Sequence, residues 1–161
     1  MRRTLMIAGL AGLAVLSTGF AYAQHQGQGS HQGHGAPVVD TRELVKFPPE
    51  LTEHTLANMR DHLVALQEIN AALARGENDK AARIAEERLG MTSLKLHGAH
   101  EVAKYMPQGM QDAGSFMHRA ASRFAIEAQN SGVTGDLKPA LGALGEVMNG
   151  CVGCHAGYRL K

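Results

Sequence analysis

From residue 51 onward the apolar positions recur at alternating spacings of three and four, the period of a helix with one buried face. Leu56, Met59, Leu63, Leu66 and Leu73 make the first stripe. It predicts a helix over about 51–74, opened by Pro48-Pro49 and closed at Arg75-Gly76. Ala82, Ala85, Leu89, Thr92, Leu96, Ala99 and Ala103 carry a second helix over about 77–104, stopped by Pro107. Met110, Ala113, Met117, Ala120, Phe124 and Ala128 carry a third over about 108–129, broken by Asn130-Ser131-Gly132. The fourth opens at Asp136, a good N-cap, with Pro139 tolerated in its first turn. Its stripe is Leu137, Leu141, Leu144, Met148, Cys151, His155 and Tyr158. No stretch alternates with period two for long enough to argue for a sheet. Four helices of similar length with short connections predict an all-α fold, an antiparallel up-down-up-down four-helix bundle.

The pattern is different ahead of these helices. Arg2 and Arg3 precede an apolar run from Leu5 to Phe20, and Ala21-Tyr22-Ala23 is a small-x-small cleavage pattern. Residues 1–23 therefore read as a cleaved signal peptide, which implies export to the periplasm. Residues 24–49 form a His/Gly/Gln-rich arm and an irregular lead-in, and 50–161 form the bundle. The arm, with His25, His31 and His34, has no periodicity and little to bury. No stretch after the signal is apolar enough to span a bilayer.

Composition adds two constraints. Losing the signal removes two arginines and no acids, so the formal charge becomes 14 − 15 = −1. That excludes a basic field for nucleic acid. With no tryptophan and few other aromatic residues, Ala, Leu and Met must supply most of the packing.

The chemistry gathers near the end of the fourth stripe. Cys151 and Cys154 are the only two cysteines, and His155 follows directly, in the string GCVGCHAGYRL. An exported cysteine pair could form a disulfide, and C-x-x-C in a thioredoxin-like setting would be a redox dithiol. Neither reading explains His155, and the second wants a βαβ context. The full C-x-x-C-H string is the attachment signature of c-type haem. Two thiols add to the two vinyl groups, and the next imidazole lies under the porphyrin and binds iron. Cys151 and His155 are four apart and share a helix face. The cofactor expected is one covalent haem c at one end of the bundle, held by Cys151 and Cys154 with His155 as proximal ligand. Small residues at that level, among them Gly98, Ala99, Gly114, Gly150, Gly153 and Ala156, leave room for a flat macrocycle.

CVGCHAGYR resembles the C-terminal motif of class II c-type cytochromes, the cytochrome c′-like family. The resemblance covers about residues 50–161 and is specific only in that motif. It implies haem thioethers at Cys151 and Cys154, an axial His155, and Arg159 near a propionate. It also implies a methionine on the first helix as distal ligand in low-spin members, and an apolar residue that binds nothing in high-spin ones. Met59 is the match. It lies roughly 12 Å into its helix, and His155 lies roughly 8 Å from the other end of an opposed helix, at 1.5 Å per residue. Family members often pair as dimers through their first two helices.

His62 falls just off the first stripe and is expected to be half exposed, and His54 to be solvated. His97, His100, Met106, Met110, Met117 and His118 fall at the level of the haem. Met110 and Met117 are expected to pack on the porphyrin, with His97, His100 and His118 facing solvent. The function expected is a periplasmic one-electron carrier, not an enzyme, serving small redox-partner proteins. A five-coordinate binder of gases such as nitric oxide or carbon monoxide is the first alternative. A copper-handling protein using the His/Met-rich segments is the second.

Overall fold

A computed structural model describes residues 39–161. The expected signal peptide and most of the arm lie outside the described residues. In chain order the elements are β1 (Glu43–Val45), α1 (Pro49–Ala74), α2 (Asn78–Arg88), a 3-10 turn (Met91–Leu94), α3 (Ala99–Ala103), α4 (Gln108–Thr134), α5 (Lys138–Gly157) and β2 (Tyr158–Leu160). The fold is mainly helical, as the periodicity predicts. No described helix is long and apolar enough to cross a membrane.

Local chemistry sets the ends. Pro48 and Pro49 open α1, where a missing N–H costs nothing. Gly76 supplies the positive φ of 71° after α1, and Gly135 the 75° that caps α4. The Asp136 carboxylate accepts the Lys138 N–H at 3.0 Å as α5 starts.

Three expectations are corrected. The second helix does not run unbroken to about residue 104. It stops at Arg88, and the chain passes through the 3-10 turn and a left-handed Gly98 (φ 60°) before the single turn and a half of α3. The third helix does not break at Asn130-Ser131-Gly132. Ser131 is buried there and its hydroxyl donates to the Glu127 carbonyl at 2.8 Å, one turn back, so α4 continues to Thr134. A short sheet also exists: β1 pairs in parallel with β2, Leu44 opposite Arg159.

The core draws on α1, α2, α4 and α5 and is mostly alanine. Ala65, Ala72, Ala85, Ala121, Ala128 and Ala140 are all fully buried, around Ile69, Leu89, Phe124 and Val147. Alanine faces let helix backbones approach closely. One close approach is at Gly150 of α5, where a Cβ would sit 2.7 Å from the Met117 Cβ and 3.0 Å from its Cα. Gly150 therefore makes room for α4 rather than for a macrocycle. The expected stripes of the second and third helices are buried at Ala82, Ala85 and Leu89 and at Met110, Met117, Ala120, Phe124 and Ala128, whereas those on α1 and α5 hold only in part. On α1 the buried face is Thr55, His62, Ala65, Ile69, Ala72 and Leu73, so Leu73 of the expected stripe is buried while Leu63 is 69% exposed. On α5 it is Ala140, Leu144, Val147 and Gly150, while Leu141 and Met148 are exposed.

Candidate functional site

A cavity of about 410 Å³ opens beside the last turn of α5. Thr55, Met59 and His62 of α1, Met110, Gly114 and Met117 of α4, and Cys154 and His155 of α5 are among its walls. Val102 and Met106 close it from α3 and the following link. The wall is chiefly apolar, and its volume suits a ligand of cofactor size, roughly 300–1,000 Å³. A Cβ at Gly114 would meet nothing within 4 Å, so this glycine leaves real space. A larger, shallower trough of about 600 Å³ lies elsewhere, bordered by Asp79, Arg83, Glu86 and Glu87, and has no comparable donors.

The residues singled out by the sequence fall around this cavity as follows. Cys151 and Cys154 are both free thiols, half-buried, on adjacent turns of α5. Cys154 lines the cavity, whereas Cys151 packs against the alanine core with its Sγ 3.6 Å from the Val147 carbonyl. Burial pushes both thiols up, and the nearby Cys151 adds to the rise at Cys154. His155 is exposed at the cavity mouth in the last turn of α5. Met59 is half-buried and lines the opposite wall from α1.

Arg159 lies on β2, beyond the helix, and it too borders the cavity. Its Nε is 3.4 Å from an Asp40 carboxylate oxygen and makes no hydrogen bond although buried. Arg42, which the sequence did not single out, joins it. The Arg42 guanidinium donates to Asp40 at 2.7 and 2.9 Å and to the His155 carbonyl at 3.3 Å. The Arg42 side-chain hydrogen bonds hold the Asp40 carboxyl down at about 2. Pairing of β1 with β2 brings the two arginines to one rim. Arg42 lies outside every periodic segment, so hydrophobic pattern carries no signal for it.

The histidines depart most from expectation. His62, His97 and His118 do not face solvent; they are 7%, 7% and 8% exposed. Their rings form one cluster on the cavity wall, with centroids 4.7 Å (His62–His97), 5.4 Å (His97–His118) and 6.2 Å (His62–His118) apart. His54 is half-buried rather than solvated, and its Nε2 donates to the His97 carbonyl at 3.0 Å. His100 is exposed, as expected, and Met110 and Met117 are buried against the cavity.

The hydrogen bonds fix tautomers. His118 Nδ1 lies 2.7 Å from the Leu89 carbonyl, which can only accept, so the proton is on Nδ1. Ser93 donates its single hydroxyl proton to the Gly90 carbonyl at 2.7 Å. The contact from Ser93 Oγ to His97 Nδ1, 3.4 Å, then requires the proton on His97 Nδ1. His97 Nε2 is left a bare lone pair, and it has no partner; neither has His62 Nε2. Burial, then the neighbouring His97 and His118, lowers His62 from 6.5 to about 4. Burial also lowers His97 and His118. The three imidazoles are therefore neutral at pH 7. Among the described residues no set of three His, Cys, Asp or Glu side chains is already drawn together as a metal-holding group.

Comparison with known proteins gives no identification: no family model, no curated protein and no solved structure matches this chain.

Proposed function

We propose that the chain is an exported c-type cytochrome, a one-electron carrier with a single covalent haem c in the 410 Å³ cavity, its helices α1, α2, α4 and α5 arranged up-down-up-down. One observation carries the reading. Cys154 and His155 of the C-x-x-C-H string border an apolar cavity of cofactor size, and both cysteines are free to react. The resemblance of CVGCHAGYR to class II cytochromes points the same way.

The residues present fit the group. Cys151 and Cys154 offer thiols for two thioether bonds, and His155 offers an axial imidazole. Met59 offers a thioether from the facing wall. Arg42 and Arg159 form a cationic rim suited to two propionates, with the unspent Arg159 Nε as a ready donor. Haem c supplies a one-electron couple when bound. Met106, Met110, Met117 and Val102 would exclude water from the group, and a Met/His ligand pair would favour a raised potential. We assign no catalytic residue. Small redox proteins are the partners proposed, and the exposed Leu56, Leu63 and Val64 of α1 support pairing of two copies through that helix.

The test is the absorption spectrum of protein purified from the exported fraction, oxidised and reduced. The reading expects a covalent haem c spectrum, low-spin when oxidised, with a near-infrared sulfur-to-iron band. Met59→Ala should abolish that band and convert the iron to high-spin. A high-spin spectrum in the unaltered chain would favour the gas-binding alternative.

A further inference from the structure

The geometry points to a second prosthetic site: we propose that His62, His97 and His118 form a three-imidazole site for one copper ion, set in the wall of the same cavity. The inference does not depend on the haem.

Four observations carry it. The first is convergence from distant chain positions. His62 comes from α1, His97 from the link after the 3-10 turn and His118 from α4, and all three are more than nine-tenths buried. Three imidazoles have no reason to gather in an apolar wall for packing alone, because each brings polar nitrogens that need partners.

The second is that the partners are missing where a ligand would bind. His62 Nε2 and His97 Nε2 are buried and unbonded. A buried polar atom in that state needs a partner, water or ligand, and these two belong to residues that wall one cavity.

The third is the orientation of the rings. His118 donates Nδ1–H to the Leu89 carbonyl and His97 donates Nδ1–H to Ser93. A ring whose Nδ1–H is tied to backbone or to a hydroxyl presents Nε2 as a donor lone pair, the usual outer-shell arrangement of a metal-binding histidine. Ser93 is itself fixed by its bond to the Gly90 carbonyl, 2.7 Å. The segment from Leu89 to Gly98, where the predicted second helix breaks, thus supplies one imidazole and the anchors for two.

The fourth is spacing. A metal–nitrogen bond of about 2.0–2.1 Å places a ring centre roughly 3.2 Å from the ion. Three rings disposed trigonally or tetrahedrally about it then stand roughly 5.2–5.5 Å apart. The observed 4.7, 5.4 and 6.2 Å bracket that range. Drawing the three rings onto one ion takes a local adjustment of the cluster, because no three such side chains among the described residues already form a metal-holding group.

Donor chemistry selects copper. Imidazole suits zinc, copper, nickel and iron, but thioethers select copper, above all Cu(I). Met106, Met110 and Met117, none of them assigned to the haem iron, border the cavity that these rings line. No carboxylate is in the set. Asp61, the nearest acid by sequence, is held by the Arg88 guanidinium, whose Nε donates to it at 3.1 Å.

The test is copper binding by the full chain as purified from the exported fraction, its haem content recorded, with loosely held metal removed beforehand by chelator. Equilibration with Cu(II), and anaerobically with Cu(I), should leave one tightly held copper per chain by elemental analysis after desalting. The Cu(II) form should show nitrogen splitting from three equivalent-class donors by electron paramagnetic resonance. His97→Gln and His118→Gln, which keep volume and polarity, should each lower affinity at least tenfold. His100→Gln and a triple His25→Gln, His31→Gln, His34→Gln chain should leave that copper in place. Far-UV circular dichroism checks that each variant is folded, and the splitting pattern of the unaltered chain decides the matter even if a variant is not.

Three results would overturn the site. One is no retained copper. Another is copper lost with the arm histidines but kept in the cluster variants. The third is loss of a low-spin haem spectrum in His62→Gln with no copper bound, which gives the imidazole to iron instead. Preferential retention of zinc from an equimolar mixture would overturn the choice of copper.

Discussion

A histidine that has lost water must either find partners or stay neutral, and the buried trio shows both. His62 is the most affected, lowered from 6.5 to about 4, with Asp61 opposing the shift and Arg88 reinforcing it. The unfolded chain therefore binds a proton that the folded chain refuses. Stability is intact above pH 6.5 and falls as pH drops from there toward 4. His62 alone contributes a loss on the order of 3 kcal/mol across that window. Acidic groups whose carboxyls are held down, such as Asp40 and Glu77 at about 2, lose their contribution mainly below the window. Thermal melts without added copper should show a clearly lower midpoint at pH 5 than at pH 7.5. In His62→Gln that difference should shrink, and an unchanged difference would contradict the burial argument. The C-x-x-C-H string was legible from residues alone because its chemistry depends on spacing along the chain. The trio was not, because its members lie on three segments and only folding brings them together.

The stripes of the second and third predicted helices, built largely on alanine, are buried at Ala82, Ala85, Ala120 and Ala128, and the faces of α1 and α5 were misread where leucine and methionine drew them. Leu63 and Leu141 lie one position on from the buried His62 and Ala140. Large side chains drew the stripe, but the small ones allow the helices to close. Two predictions separate these faces. Ile69→Ala, at a fully buried site, should cost about 2–5 kcal/mol, whereas Leu63→Ala should stay within about 0.5 kcal/mol, by denaturant unfolding. Gly150→Ala forces a methyl against Met117 and should cost about 1–3 kcal/mol, seen as a lower unfolding midpoint. A neutral Gly150→Ala would mean that α4 and α5 are not so closely seated. The break after Arg88 was hidden for a similar reason. Leu89, Thr92, Leu96 and Ala99 keep helical spacing, but the chain ties Thr92 and Ser93 back to Glu86 and Gly90 instead.

At the largest scale, residues 39–161 form an alanine-packed helical core with a cavity beside the last turn of α5. A dry void of 410 Å³ would cost up to about 10 kcal/mol at roughly 24 cal/mol per Å³, comparable with the entire stability of a domain. Water relieves part of that, but an apolar wall gains little from it. A Cys151→Ala, Cys154→Ala chain, unable to hold haem covalently, should therefore lose cooperative melting by circular dichroism. The overall helical class was readable in advance. The short parallel pairing of β1 with β2 was not, since three-residue strands carry no pattern, yet that pairing sets Arg42 beside Arg159 at the rim. The most direct measurement is mass spectrometry of protein recovered after export, intact and as peptides. A single haem increment on the peptide bearing Cys151 and Cys154 is expected. An unmodified peptide, or one with the two sulfurs joined in a disulfide, would contradict it.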